Sequence, residues 1–96
     1  MRLIPLFDQI ILRQIHTQNQ HGVILPDSIS ESPSVGEVLY VGTGGRLDGN
    51  EIEIILKKGD KVLFHKYTAS EFFINDESLY IIKQSDILCI MEDENE

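Results

Sequence analysis

Turn signals break this chain into pieces too short to be ordinary helices. Asp48-Gly49, Lys57-Lys58-Gly59-Asp60, Asn75-Asp76 and Ser85-Asp86 punctuate its second half. Between them lie short runs in which apolar residues alternate with polar ones, and no run sustains a helical period. Such runs, bounded by Gly, Asn and Asp, read as β-strands. Seven are predicted, over about residues 8–15, 35–42, 51–54, 61–65, 71–74, 79–83 and 87–91. Short strands at close intervals make a small all-β barrel or sandwich. The chain has 96 residues, with no internal repeat or linker, so residues 1–96 are read as one domain.

Several positions carry more specific expectations. Ile10 and Leu12 share one face of the first strand; Ile11, Arg13 and Ile15 share the other. Gly36 inside the second strand predicts a bulge or a close backbone approach. Asp48-Gly49 suits a type I′ hairpin turn, which needs positive φ at both central residues. Glu51-Ile52-Glu53-Ile54 then reads as the return strand. Val62 and Phe64 are expected to face the core, and Ser85-Asp86 to cap a single helical turn or tight bend. The tail, residues 92–96, is EDENE and is expected to fray.

One stretch interrupts this rhythm. His16 to Ser34, HTQNQHGVILPDSISESPS, is nineteen residues long and mostly polar. Loops beyond about 12–15 residues are uncommon in compact domains, and are usually functional or disordered. This one holds a single apolar patch, Val23-Ile24-Leu25, between Gly22 and Pro26. The patch reads either as a short core strand or as an exposed partner-binding element. Its flanks weaken the first reading, because Gly22 loosens one end, Pro26 restricts the other, and polar residues surround it.

Charge excludes some functions. Sixteen acidic residues against eight basic ones leave a net charge of −8. Nucleic-acid binding rests on a basic footprint that offsets phosphate charge, and an anionic membrane surface would repel this chain. No apolar run approaches the roughly 18 residues of a membrane-spanning helix. The opening MRLIPLFDQ makes a poor signal peptide, lacking a sustained apolar core and a cleavage site. The single cysteine, Cys89, cannot form an intrachain disulfide. A reducing cytoplasmic compartment is expected.

No catalytic constellation emerges. His16 and His21 lie five apart without a Cys or carboxylate at a familiar metal-ligand spacing. Glu51 and Glu53 share a strand face but have no flanking His, Lys or ligand partner, which suits a solvated face. Cys89 lies in an apolar strand and reads as an inert core thiol. Gly42-Thr43-Gly44-Gly45 lacks the lysine and following helix of a phosphate-binding loop. Lys66-Tyr67 is too little for a nucleic-acid surface. Neither enzyme activity, nor a cofactor, nor a metal site is expected.

Five stretches, in order, resemble the GroES-type co-chaperonins of the chaperonin-10 family, the small lids of the GroEL chaperonin. Ile4-Pro5-Leu6-Phe7-Asp8-Gln9-Ile10-Ile11-Leu12 looks like the family's Pro-Leu-x-Asp-Arg-Val/Ile opening. His21-Gly22-Val23-Ile24-Leu25-Pro26 resembles the Gly-Gly-Ile-Val/Ile-Leu-Pro core of its mobile loop. Ser34 to Gly44 is similar to the strand leading to its roof hairpin, and Lys57 to Tyr67 to the stretch after it. Ser85-Asp86-Ile87-Leu88-Cys89-Ile90-Met91-Glu92 is similar to the closing Glu-Ser-Asp-Ile-Leu-Ala segment. Gln9, His21 and Ala69 depart from the family's usual Arg, Gly and Gly.

The resemblance implies a small irregular β-barrel with a long mobile loop at about 16–34 and a roof β-hairpin at about 44–51, marked by Gly44, Gly45, Asp48 and Gly49. It implies a homo-heptamer that caps a GroEL-type chaperonin and encloses unfolded client protein. The partner supplies the ATPase, and neither nucleic acid nor membrane is involved. Gly22, Val23, Ile24, Leu25 and Pro26 would bind the chaperonin. The first and last strands would pair between subunits, through Ile10, Leu12, Ile87, Leu88 and Ile90. The rival reading is a generic small β-barrel adaptor or nucleic-acid-binding module with a disordered loop.

Overall fold

The computed structural model describes residues 2–15 and 33–92. Eight strands appear in order: β1 (Gln9–Ile15), β2 (Ser34–Val41), β3 (Gly45–Leu47), β4 (Asn50–Ile52), β5 (Lys61–Phe64), β6 (Ser70–Ile74), β7 (Glu77–Lys83) and β8 (Cys89–Met91). Six form one antiparallel sheet in the order β6-β7-β1-β2-β5-β8, while β3 and β4 form a separate hairpin. Two 3-10 turns, Lys66–Thr68 and Gln84–Asp86, make the corners before β6 and β8. The second of these is the helical turn predicted at Ser85-Asp86, although both residues lie within it and no side chain caps it.

The period-2 pattern explains the core. Ile10 and Leu12 from β1, Val38 from β2, Val62 and Phe64 from β5, and Tyr80 and Ile82 from β7 form one buried cluster. Leu56 joins it from a stretch with no regular strand. The sheet curls around this cluster. Phe64 and Tyr80 stand on strands separated by β1 and β2, yet their ring centroids are 5.5 Å apart. This curl makes the chain a small β-barrel, as the strand pattern predicts.

Local chemistry fixes the bends. Asp48 and Gly49 both have positive φ, 55° and 81°, as the type I′ turn requires. Asn75 and Asp76 do the same between β6 and β7, at 53° and 63°. Gly36 turns out to be a close approach: a Cβ there would lie 2.8 Å from the buried Phe64 ring. The bulge falls instead at Leu39. The register runs from Ile11↔Tyr40 to Leu12↔Val38, leaving Leu39 unopposed. Ala69 has φ −113° and packs against the core, so nothing in its backbone requires the glycine common in the family.

Two expectations need correction. The resemblance places Ile10 and Leu12 at a subunit boundary, but both are wholly buried in the subunit's own core. β1 is paired with β2 on one edge and β7 on the other, so it offers a neighbour no free backbone edge. Cys89, expected in the core, is exposed. It lies on the sheet's outermost strand, where no described strand lies beyond to cover it.

Candidate functional site

Segment 16–32 falls outside the described residues, and with it His16, His21 and the predicted partner-binding residues Gly22, Val23, Ile24, Leu25 and Pro26. Its base is described. β1 ends at Ile15 and β2 begins at Ser34, and Ile15 pairs directly with Val35. The segment therefore leaves and re-enters the barrel on adjacent strands.

That base is braced on both faces. Inside, Gly36 sits under the Phe64 ring, while its neighbour Val35 is buried on the opposite face. Outside, the Arg13 guanidinium donates to the Glu37 carboxylate across the β1–β2 pair and lies 3.9 Å from Glu77 on β7. One arginine thus links three strands. Its hydrogen bond holds the Glu37 carboxyl below the ordinary carboxylate range, against the partial desolvation that pulls the other way. The same bond, with the carboxylate's charge, raises the Arg13 pKa. Both side chains are well solvated, so the pair adds at most about 1 kcal/mol.

The far end of β2 is built differently. After Val41 the chain passes close beneath the N-terminal segment: a Cβ on Gly42 would lie 2.2 Å from the Phe7 carbonyl oxygen. The Gly44 N–H donates to that same carbonyl at 2.9 Å. Gly44 and Gly45 both take positive φ, at 71° and 118°, and lead into the β3–β4 hairpin with Asp48-Gly49 at its tip. The predicted hairpin residues are therefore brought together. Glu51 and Glu53 are exposed there, as a solvated strand face requires.

Beyond β4, residues 53–57 follow no ladder, and a side chain substitutes for one. The Gln84 Oε1 accepts from the Ile55 N–H at 2.8 Å and the Leu56 N–H at 3.3 Å, while its Nε2 donates to the Glu53 carbonyl at 3.0 Å. Sequence reasoning missed Gln84. The only available signal was its place beside Ser85-Asp86, since its partners lie 28 to 31 residues away in the chain.

A third region is apolar and exposed. Leu88 is 50% exposed and Ile90 38%, both on or beside β8, whereas Ile87 packs partly against the subunit's own core. In the N-terminal segment Ile4 and Leu6 are 62% and 61% exposed. The sequence reading does not single out these two as exposed apolar residues, although their alternation with Leu3 and Pro5 is visible in the sequence. Among the described residues, no group of three or more His, Cys, Asp and Glu is placed to hold a metal ion, and no helix is long and apolar enough to cross a membrane.

Comparison with known proteins bears on these features. The family described as "Chaperonin 10 Kd subunit" matches residues 2–91. A "Co-chaperonin GroES" of Caldicellulosiruptor saccharolyticus is 40% identical over 95 residues, covering 97% of this chain and 100% of the relative. A "Co-chaperonin GroES" of Clostridium botulinum strain Hall is 42% identical over 94 residues, covering 96% and 99%.

Proposed function

The chain belongs to the chaperonin 10 kDa subunit family, and from that premise we propose that it works as a homo-heptameric lid. Its function is that of a co-chaperonin, and it is not an enzyme. In this reading the ring caps a GroEL-type chaperonin in the cytoplasm through segment 16–34, acting as a mobile loop. It encloses unfolded client protein while the partner's nucleotide cycle drives capture and release. The observation that carries the reading is the family match over residues 2–91, which spans the segment and both of its anchors.

Energetics suit a ring of weak arms. Burying Val23, Ile24 and Leu25 on a partner gains roughly 1.5–3 kcal/mol per side chain. Ordering each backbone residue costs roughly 1–2 kcal/mol, so fixing five or six loop residues offsets most of that gain. Pro26 reduces the cost by restricting the free state. One arm binds weakly, but arms on one rigid ring make later contacts intramolecular. Weak repeated contacts also release when the partner changes shape.

The subunit contacts we propose use the exposed apolar residues. β8 is an edge strand, and an unpaired apolar edge invites association unless it is covered. Leu88 and Ile90 on that edge, together with Ile4 and Leu6 of a neighbour's N-terminal segment, are suited to cover one another. Native mass spectrometry, followed by capture on a GroEL-type chaperonin with ATP, tests the whole reading. A heptamer retained by the chaperonin is expected; a monomer that the chaperonin ignores would overturn it.

A further inference from the structure

The roof hairpin is not fastened to the barrel by a sheet ladder. Its base is held by two chain segments that approach from opposite sides. On one side the Phe7 carbonyl accepts from the Gly44 N–H at 2.9 Å. On the other, the Gln84 amide takes the place of a missing strand, with one donor and one acceptor matched to the backbone of residues 53–56. The two segments are also joined to each other, because the Gln84 backbone N–H donates to the Asp8 carbonyl at 2.8 Å.

Each segment runs directly into a stretch of exposed apolar residues. Phe7-Asp8 continues back to Leu6 and Ile4; Gln84 continues through its 3-10 turn to Leu88 and β8. These are the surfaces assigned above to subunit contacts. We propose that Gln84 is a positioning residue that couples the pose of the roof hairpin to the subunit contact, so that assembly of the ring sets the roof. The proposal rests on the ring reading.

The amide is the chemical requirement. A carboxylate at this position accepts from the Ile55 and Leu56 N–H groups but has no proton for the Glu53 carbonyl. A methyl group at position 84 supplies neither function. Ile55 is 63% exposed, so no burial of its side chain substitutes for the lost bonds.

Amide hydrogen exchange on the full-length chain, measured at concentrations above and below ring dissociation, tests the proposal. In the wild-type protein, dilution is expected to speed exchange over residues 45–56. In Gln84→Ala, exchange at Ile55 and Leu56 is expected to be roughly tenfold faster even in the assembled ring, as lost hydrogen bonds of this kind predict. It should then change little on dilution, while β1 and β5 keep wild-type protection. Gln84→Glu keeps two of the three bonds and is expected to fall between, which preserves the test if the alanine variant does not fold.

Equal dilution dependence in wild type and both variants would overturn the coupling. So would acceleration spread evenly over the core strands, which marks general destabilisation. Native mass of the wild-type chain separates this from failure of the ring reading: a monomer sinks the ring, whereas a heptamer with an indifferent hairpin sinks only the role of Gln84.

Discussion

The two ends of β2 are roughly 23 Å apart by strand geometry, and they hold their attached segments by opposite means. At the Ser34 end the sheet itself is the support. β1 and β2 stay paired to Ile15↔Val35, Phe64 fills the space above Gly36, and Arg13 ties β7 across the outside. At the Val41 end the ladder stops and single hydrogen bonds take over, from the backbones of Phe7 and Asp8 and the side-chain amide of Gln84. In the proposed lid, the segment that reaches the partner needs a stiff platform. A segment that must keep a fixed pose needs contacts along its own base. One strand supplies both needs because its termini face different neighbours.

Five substitutions sharpen or break this contrast. The largest effect belongs to Ile24→Asp. In the proposed lid, placing a charge in the apolar triplet removes roughly 2 kcal/mol or more of burial from each arm, and avidity multiplies that loss around the ring. Chaperonin capture is expected to vanish in a pull-down while native mass still shows the assembled ring. Normal capture would mean that Val23-Ile24-Leu25 is not the contact.

At the fastened end, Gly42→Ala puts a methyl against the Phe7 carbonyl and is expected to cost about 3 kcal/mol in denaturant unfolding. Gly49→Ala makes an internal control. It has positive φ but open space around it, so only about 1 kcal/mol is expected. If the two variants were equally stable, the Phe7 contact would not fasten the hairpin.

At the platform end, Gly36→Ala pushes on a ring that is wholly buried and cannot swing away. A loss of about 2 kcal/mol is expected in thermal unfolding. A wild-type melting temperature would show that the platform yields.

The smallest effect is the pH dependence of the Arg13–Glu37 pair. Glu37 has a lowered folded-state pKa. Its contribution is therefore present above the unfolded carboxyl value of about 4.3 and is lost as pH falls through the folded value. Glu37→Gln is expected to lower stability by a few tenths of a kcal/mol at pH 7 and by less at an acid pH below the lowered folded-state value. Urea unfolding at both pH values measures it, and an equal deficit at both would show that charge plays no part.

Much of this contrast is legible along the chain because it is written in local chemistry. The type I′ turn at Asp48-Gly49, the alternation that buries Val62 and Phe64, and the helical turn at Ser85-Asp86 each depend on a few neighbouring residues. Strand order does not. β1 reads as a possible contact strand until β7, some 70 residues later, is seen to close its second edge. For the same reason Cys89 reads as core: its apolar neighbours are visible in the sequence, but the lack of a described strand beyond β8 is not. Gln84 is the extreme case, a polar side chain whose role exists only once residues 53–56 fold back onto it.

The pairing of Ile15 with Val35 has one more consequence. Because both gateposts of segment 16–32 belong to neighbouring strands, the barrel is indifferent to how much chain passes between them. Doubling an insert there adds only about 0.6 kcal/mol of closure entropy. Reach and grip can thus be rewritten by insertion or deletion at a single address, with no repacking of Phe64 beneath. The subunit is in effect a socket, and what is plugged into it can evolve at its own pace.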